Sequence, residues 1–91
     1  MAVMLVHYNH DFDEWKGMFD ADPVGRAQGG VTRHTILRGV DDPNDIVVQL
    51  EFASLDDARA FRDRLVGSGV IDRLDVRTPP IVLEVVETEA S

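Results

Sequence analysis

Two β-rich runs, Val31 to Val40 and Asp45 to Ala53, flank the segment Asp41-Asp42-Pro43-Asn44. Asp and Asn side chains accept hydrogen bonds from nearby backbone and proline fixes φ, so these four residues predict a hairpin turn. What stands on either side of the hairpin sets the fold. Upstream lies one amphipathic helical pattern preceded by a β-rich run, Ala2 to Tyr8; downstream lies another helical pattern followed by Ile81 to Val86. An order of strand, helix, strand, strand, helix, strand places both helices on one face of a four-stranded antiparallel sheet, because crossovers are right-handed. The expected fold is therefore α+β, of the ferredoxin-like βαββαβ kind.

Each helix carries its own start signal. Asp11-Phe12-Asp13-Glu14 has the capping-box pattern, and Phe12, Trp15, Met18 and Phe19 recur at three- and four-residue spacing behind it. Asp22-Pro23 reads as a second cap with proline at the first helical position, so a broken helix is expected from Asp11 to Gln28, stopped by Gly29-Gly30. Ser54 caps the second helix, in which Asp56 and Asp57 precede Arg59, Arg62 and Arg64 and Leu55, Ala58, Phe61 and Leu65 form the apolar stripe. Gly67-Ser68-Gly69 ends it, Val70 to Val76 reads as a short irregular or helical segment, and Pro79-Pro80 confines the last strand to an edge or to a start after the prolines.

Pairing Val40 with Asp45 would set Arg38 against Val47, Ile36 against Gln49 and His34 against Glu51 on one face. Thr35, Leu37, Ile46, Val48, Leu50 and Phe52 would then share the drier face under the helices. The helix-free face is too polar for a sealed core and too apolar for bare surface, which predicts a homodimer packed through it.

With 91 residues, one domain over 1–87 and a polar tail at 88–91 are expected. The core of so short a chain is marginal, and without cysteine neither a disulfide nor a thiolate metal site reinforces it. Seventeen acids against nine bases give a net charge of −8, which repels phosphate backbones and anionic membranes and argues against nucleic acid as a partner. No apolar run approaches the roughly 20 residues of a membrane span, and the opening Met1-Ala2-Val3-Met4-Leu5-Val6 lacks a charged leader, so a cytoplasmic location is expected.

His7, Asp11, Phe12, Trp15 and Lys16, continued by Arg26-Ala27 with Gly30 and by Val40-Asp41-Asp42-Pro43-Asn44 with Glu51, resemble a pattern found in small bacterial dimeric α/β-barrel proteins. The group is the antibiotic-biosynthesis-monooxygenase and polyketide-cyclase-like one, and the resemblance covers nearly the whole chain. It implies two sheets packed into a shared barrel, with a small organic ligand between each protomer's helices and sheet. Cofactor-free oxygenases, cyclases, isomerases, haem-degrading enzymes and ligand sensors share that fold. The second helix has no histidine, so the axial ligand expected in haem-degrading relatives is missing, and no cofactor is expected.

Candidate site residues follow. If His7 points with Val3 and Leu5 toward the helices, its imidazole enters an apolar pocket with Trp15, Phe19 and Phe61, where it would move a proton near neutral pH. The alternative is a histidine that fixes the helix start through a carbonyl. Trp15 and Phe61 would stack on a flat substrate, or serve only as core. Thr35, the lone polar side chain expected on the dry face, would orient a substrate carbonyl or bond locally. Asn9 stands at the strand end, where it would hold an oxyanion or simply form a turn. His34, Glu51, Arg38 and Gln49 would form a polar network at the dimer face; a metal would need a third ligand there, and none is expected.

The leading expectation is a cofactor-independent enzyme acting on an aromatic or polyketide-like molecule by cyclisation, isomerisation or oxygenation, with His7 as acid/base. The other is a non-catalytic small-molecule-binding or assembly module of the same fold.

Overall fold

Six main elements follow the expected order in a computed structural model that describes residues 1–90. β1 spans Ala2–Asn9, α1 Phe12–Asp20, β2 Val31–Arg38, β3 Asp45–Phe52, α2 Leu55–Gly67 and β4 Val76–Glu84, with a 3-10 turn at Val70–Arg73. All pairings are antiparallel, and the strand order is β2-β3-β1-β4. This is the ferredoxin-like α+β fold, with β1 and β3 in the centre and β2 and β4 at the edges. Ser91, the end of the tail expected at 88–91, lies outside the described residues.

The helices start where their caps stand. Asp11 Oδ2 accepts from the Glu14 N–H at 3.0 Å, and Ser54 Oγ accepts from the Asp57 N–H at 3.1 Å. The first helix does not run on to Gln28. It ends at Asp20, because proline disfavours helical backbone in the residue before it and Asp22 adopts φ +52°. Asp22 still caps, but it caps a turn: its Oδ1 accepts from the Arg26 N–H at 3.0 Å within an irregular segment over 21–30. Gly29 lets that segment lie against α2, since a Cβ there would come within 2.3 Å of Phe61 Cδ1.

Alternation along the central strands sorts their side chains. Ala2, Met4, Val6 and Tyr8 of β1 and Ile46, Val48, Leu50 and Phe52 of β3 are buried under the helices, where Trp15, Ala58, Phe61 and Leu65 meet them. Each large side chain so buried contributes about 1.5–3 kcal/mol. Val3, Leu5, His7 and Asn9 project from the opposite face of β1.

The hairpin register differs by one residue from the expected pairing. The Gly39 N–H donates to the Asp45 carbonyl at 2.9 Å, closing a loop of residues 40–44 rather than a turn of 41–44. His34 therefore opposes Leu50, Thr35 opposes Gln49, Ile36 opposes Val48 and Leu37 opposes Val47. A one-residue slip exchanges the faces of a strand. Ile36, His34 and Arg38 lie on the helix side, while Thr35 and Leu37 lie on the helix-free side with Val47, Gln49 and Glu51. Glu51 meets Arg33 at 3.5 Å instead of His34. Gly39 makes the tighter closure possible, because a Cβ there would stand 2.4 Å from the Asp42 carbonyl oxygen. The last strand starts earlier than Ile81 and carries Pro79 and Pro80 inside it, which an edge strand tolerates.

Candidate functional site

Between the sheet and the helices lies a cavity of about 70 Å³. Met4, Val6, Tyr8, Val48 and Leu50 form its sheet wall, Trp15 and Phe19 come from α1, and Phe61 and Leu65 come from α2. Asp22, Pro23, Val24 and Arg26 of the irregular segment, with Val70 and Leu74 before β4, complete it.

The aromatic side chains form a connected wall. Trp15 stacks on Phe19 with centroids 5.1 Å apart and planes at 24°, and Tyr8 lies 5.9 Å from Trp15. The Arg26 guanidinium caps Phe19 at 3.7 Å from the ring centroid, while the His34 ring approaches the same phenyl edge-on at 5.1 Å. Arg26 is anchored at the rim, donating to the Phe19 carbonyl at 2.9 Å and paired with Asp22 at 3.5 Å. The Arg64 guanidinium donates to the Val24 carbonyl and so ties the irregular segment to α2. Burial pushes the Tyr8 phenol up to about 12, which keeps it protonated throughout the neutral range.

Of the six residues expected at the site, the structure brings three together here: Trp15, Phe19 and Phe61. The expectation that His7 enters the pocket is overturned. His7 alternates with the buried Val6 and Tyr8, so its ring lies on the helix-free face, where Nε2 meets Asp45 Oδ1 at 3.2 Å. Asn9 has the same orientation and donates to Asp45 at 3.0 Å and to Asp42 at 3.1 Å. Thr35 follows the shifted register onto that face too. The result is a second polar cluster, His7, Asn9, Asp42 and Asp45, separated from the pocket by the thickness of the sheet. The Asn9 amide, and then His7, hold the Asp45 carboxyl below the usual carboxylate range.

Tyr8, Arg26 and Asp22 escaped the sequence reading. His7 and Asn9, two polar residues of the same strand parity, could have marked that side of β1 as the wetter one and so assigned Tyr8 to the pocket.

Among the described residues no group of three or more His, Asp or Glu side chains is arranged to hold a metal ion, and no helix is long and apolar enough to cross a membrane.

No protein-family model and no curated protein sequence matches the chain. Solved structures do. A protein from Nitrosomonas europaea provisionally designated an antibiotic biosynthesis monooxygenase aligns with a TM-score of 0.59 at 20% identity, over 96% of this chain and 100% of its own. The Rv0793 protein from Mycobacterium tuberculosis aligns with a TM-score of 0.66 at 17% identity, over 99% of this chain and 98% of its own. Both likenesses run from end to end at low identity, and what they establish is the fold: this chain shares the ferredoxin-like α+β architecture of the two structures.

Proposed function

We propose that the chain is a small-molecule-binding protein that works through the pocket between its helices and its sheet. The observation that carries this reading is the cavity itself, walled by Tyr8, Trp15, Phe19 and Phe61, with its only acid and base paired at the rim. Apolar lining with few polar groups is the usual character of ligand sites. The likeness to a protein provisionally designated a monooxygenase of antibiotic biosynthesis points the same way. Native mass spectrometry of the purified protein tests the reading. It is expected to reveal a released small molecule that a Leu74→Trp variant, with the cavity wall filled, no longer carries. Equal loading of the two proteins, or no loading of either, would overturn it.

A second reading is favoured by the His7–Asp45 bond. It is the cofactor-independent enzyme acting on an aromatic or polyketide-like molecule, with proton transfer moved from the pocket to the opposite face. A carboxylate that fixes and orients a histidine supports general acid/base work. This reading calls for a second copy over the helix-free face, because one sheet leaves the dyad open to water. Homodimerisation is supported by the apolar content of that face: Leu37 is 50% exposed, Leu83 42% and Ile81 39%, beside Val3, Leu5 and Val47. Loss of turnover in His7→Ala, with a folded and ligand-binding protein, is the outcome this reading expects.

A further inference from the structure

Most of the cavity wall is held by regular structure. The sheet side belongs to the central strands β1 and β3, fixed by their ladders, and Trp15, Phe19, Phe61 and Leu65 stand on helices. The 21–30 segment is different. It contributes Asp22, Pro23, Val24 and Arg26 to the lining, yet none of its residues is buried.

The destinations of its hydrogen bonds explain how it is held. Within the segment, the N–H groups of Gly25, Gly29 and Gly30 donate to the carbonyls of Asp22, Gly25 and Ala27, and the Arg26 N–H donates to Asp22 Oδ1. On the α1 side, the N–H groups of Ala21 and Asp22 reach the Gly17 and Phe19 carbonyls, and the Arg26 guanidinium donates to the Phe19 carbonyl as well. On the α2 side, among the described residues, one side chain supplies the hydrogen bonds: Arg64 Nη2 donates to the Val24 carbonyl and, at 3.4 Å, to the Gly25 carbonyl. Arg64 is itself exposed and forms no ion pair among the described residues. Gly29 and Gly30 add only backbone on that side, against Phe61 and Asp57.

A segment folded on itself, fastened on one side to the helix it follows and on the other by one exposed side chain, opens as a unit at low cost. Opening is also what the site needs. The closed cavity holds about 70 Å³, against the roughly 300 Å³ of sites for drug-sized molecules.

We infer that the 21–30 segment is the door of the pocket, swinging on its α1 attachment, and that Arg64 is its latch. Apolar molecules larger than the closed cavity enter when Arg64 releases the Val24 and Gly25 carbonyls. This inference rests on the pocket being a ligand site, and it adds the route of entry and the residue that governs the size admitted. Arg64 is a positioning residue, since it acts through the segment and not on the ligand.

Arg64→Ala tests the latch, with Arg59→Ala, at another exposed arginine of α2, as the control. Amide hydrogen exchange in Arg64→Ala is expected to quicken roughly tenfold or more at Gly25, Arg26, Gly29 and Gly30 together, the effect of losing one hydrogen bond from a charged donor, while the amides of β1 and β3 stay protected. Trp15, the chain's one tryptophan, is buried and lines the pocket, so it reports on the door itself. Its quenching by acrylamide, weak in the wild type, is expected to rise severalfold in Arg64→Ala and not in Arg59→Ala. Unchanged exchange in the segment would overturn the latch. Faster exchange in segment and central strands alike would overturn it too, because Arg64 would then support the fold as a whole. Faster segment exchange with unchanged Trp15 quenching would overturn the door, since the segment would open without uncovering the pocket. None of these failures touches the pocket reading, which native mass spectrometry of the wild type and Leu74→Trp decides separately.

Discussion

His7 and Asp45, 38 positions apart, join across β1 and β3 at 3.2 Å on the face that the helices leave open. The bond ties the end of the first strand to the exit of the hairpin, and Asn9 reinforces it from the same strand. The Asp45 carboxyl is consequently drawn below its usual range, by the Asn9 amide first and His7 second.

The pH dependence of that interaction has a definite sign. A carboxyl group with a lowered folded-state value stabilises the fold above its unfolded value of about 4 and loses that contribution as pH falls through the lower folded value. Urea midpoints measured from pH 6 down to pH 2 are expected to fall less steeply in Asp45→Asn than in the wild type. Parallel curves would show that the ion pair contributes nothing to acid stability.

Tyr8 behaves oppositely at the alkaline end. Its folded value is raised to about 12, so its contribution is complete below the unfolded value of about 10 and is lost as pH rises through 12. The loss is on the order of 2–3 kcal/mol, by the free-energy equivalent of two pH units. Since the chain has one tyrosine, absorbance at the phenolate wavelength is expected to titrate as a single step well above pH 10. Tyr8→Phe is expected to flatten the stability curve over the same range.

Close packing at Gly29 predicts an asymmetric pair of variants. Gly29→Ala would drive a methyl group into the buried Phe61 ring, at a cost of about 1–3 kcal/mol in urea unfolding, as overpacked cores show. Phe61→Leu in the same chain is expected to relieve part of that cost. A double-mutant cycle with no coupling would contradict the contact.

Gly39 offers a test of the hairpin register. Its neighbour across the loop is the Asp42 carbonyl oxygen, which a flexible side chain's movement cannot clear. Gly39→Ala is expected to destabilise the protein by roughly 1–3 kcal/mol through strain in the loop. Val40→Ala, at an almost wholly exposed position, is expected to change stability by less than about 0.5 kcal/mol.

Leu83→Glu tests the proposed pairing of copies. A charge on the helix-free face is expected to shift sedimentation from dimer toward monomer without altering the far-ultraviolet circular dichroism. An unchanged dimer would remove that face as the interface.

The order of elements and both helix starts were legible because each rests on local chemistry: Asp11 and Ser54 as caps, apolar spacing through Phe12, Trp15 and Phe19, and turn residues at 41–44. Which face each strand turns inward was not. β1 is central and apolar at Val3, Met4, Leu5 and Val6 alike, so periodicity carried little information about where His7 would point. In β2 the decision lay in one residue of loop length, set by the close approach that Gly39 permits. That contact is made between backbones and leaves no mark in hydrophobic pattern. Trp15, Phe19 and Phe61 were found because helix periodicity needs no partner strand to be read. Thr35 and His7 lie on the face opposite to the expected one because strand parity does.

The prolines of β4 also limit how copies of this chain can associate. Neither Pro79 nor Pro80 carries a backbone N–H, so this edge strand lacks two successive donors where its register with β1 also shifts. An added strand would meet a gap in its ladder there. Edge-to-edge addition of further chains is disfavoured on that flank. Fibrous assembly through β4 is thereby disfavoured.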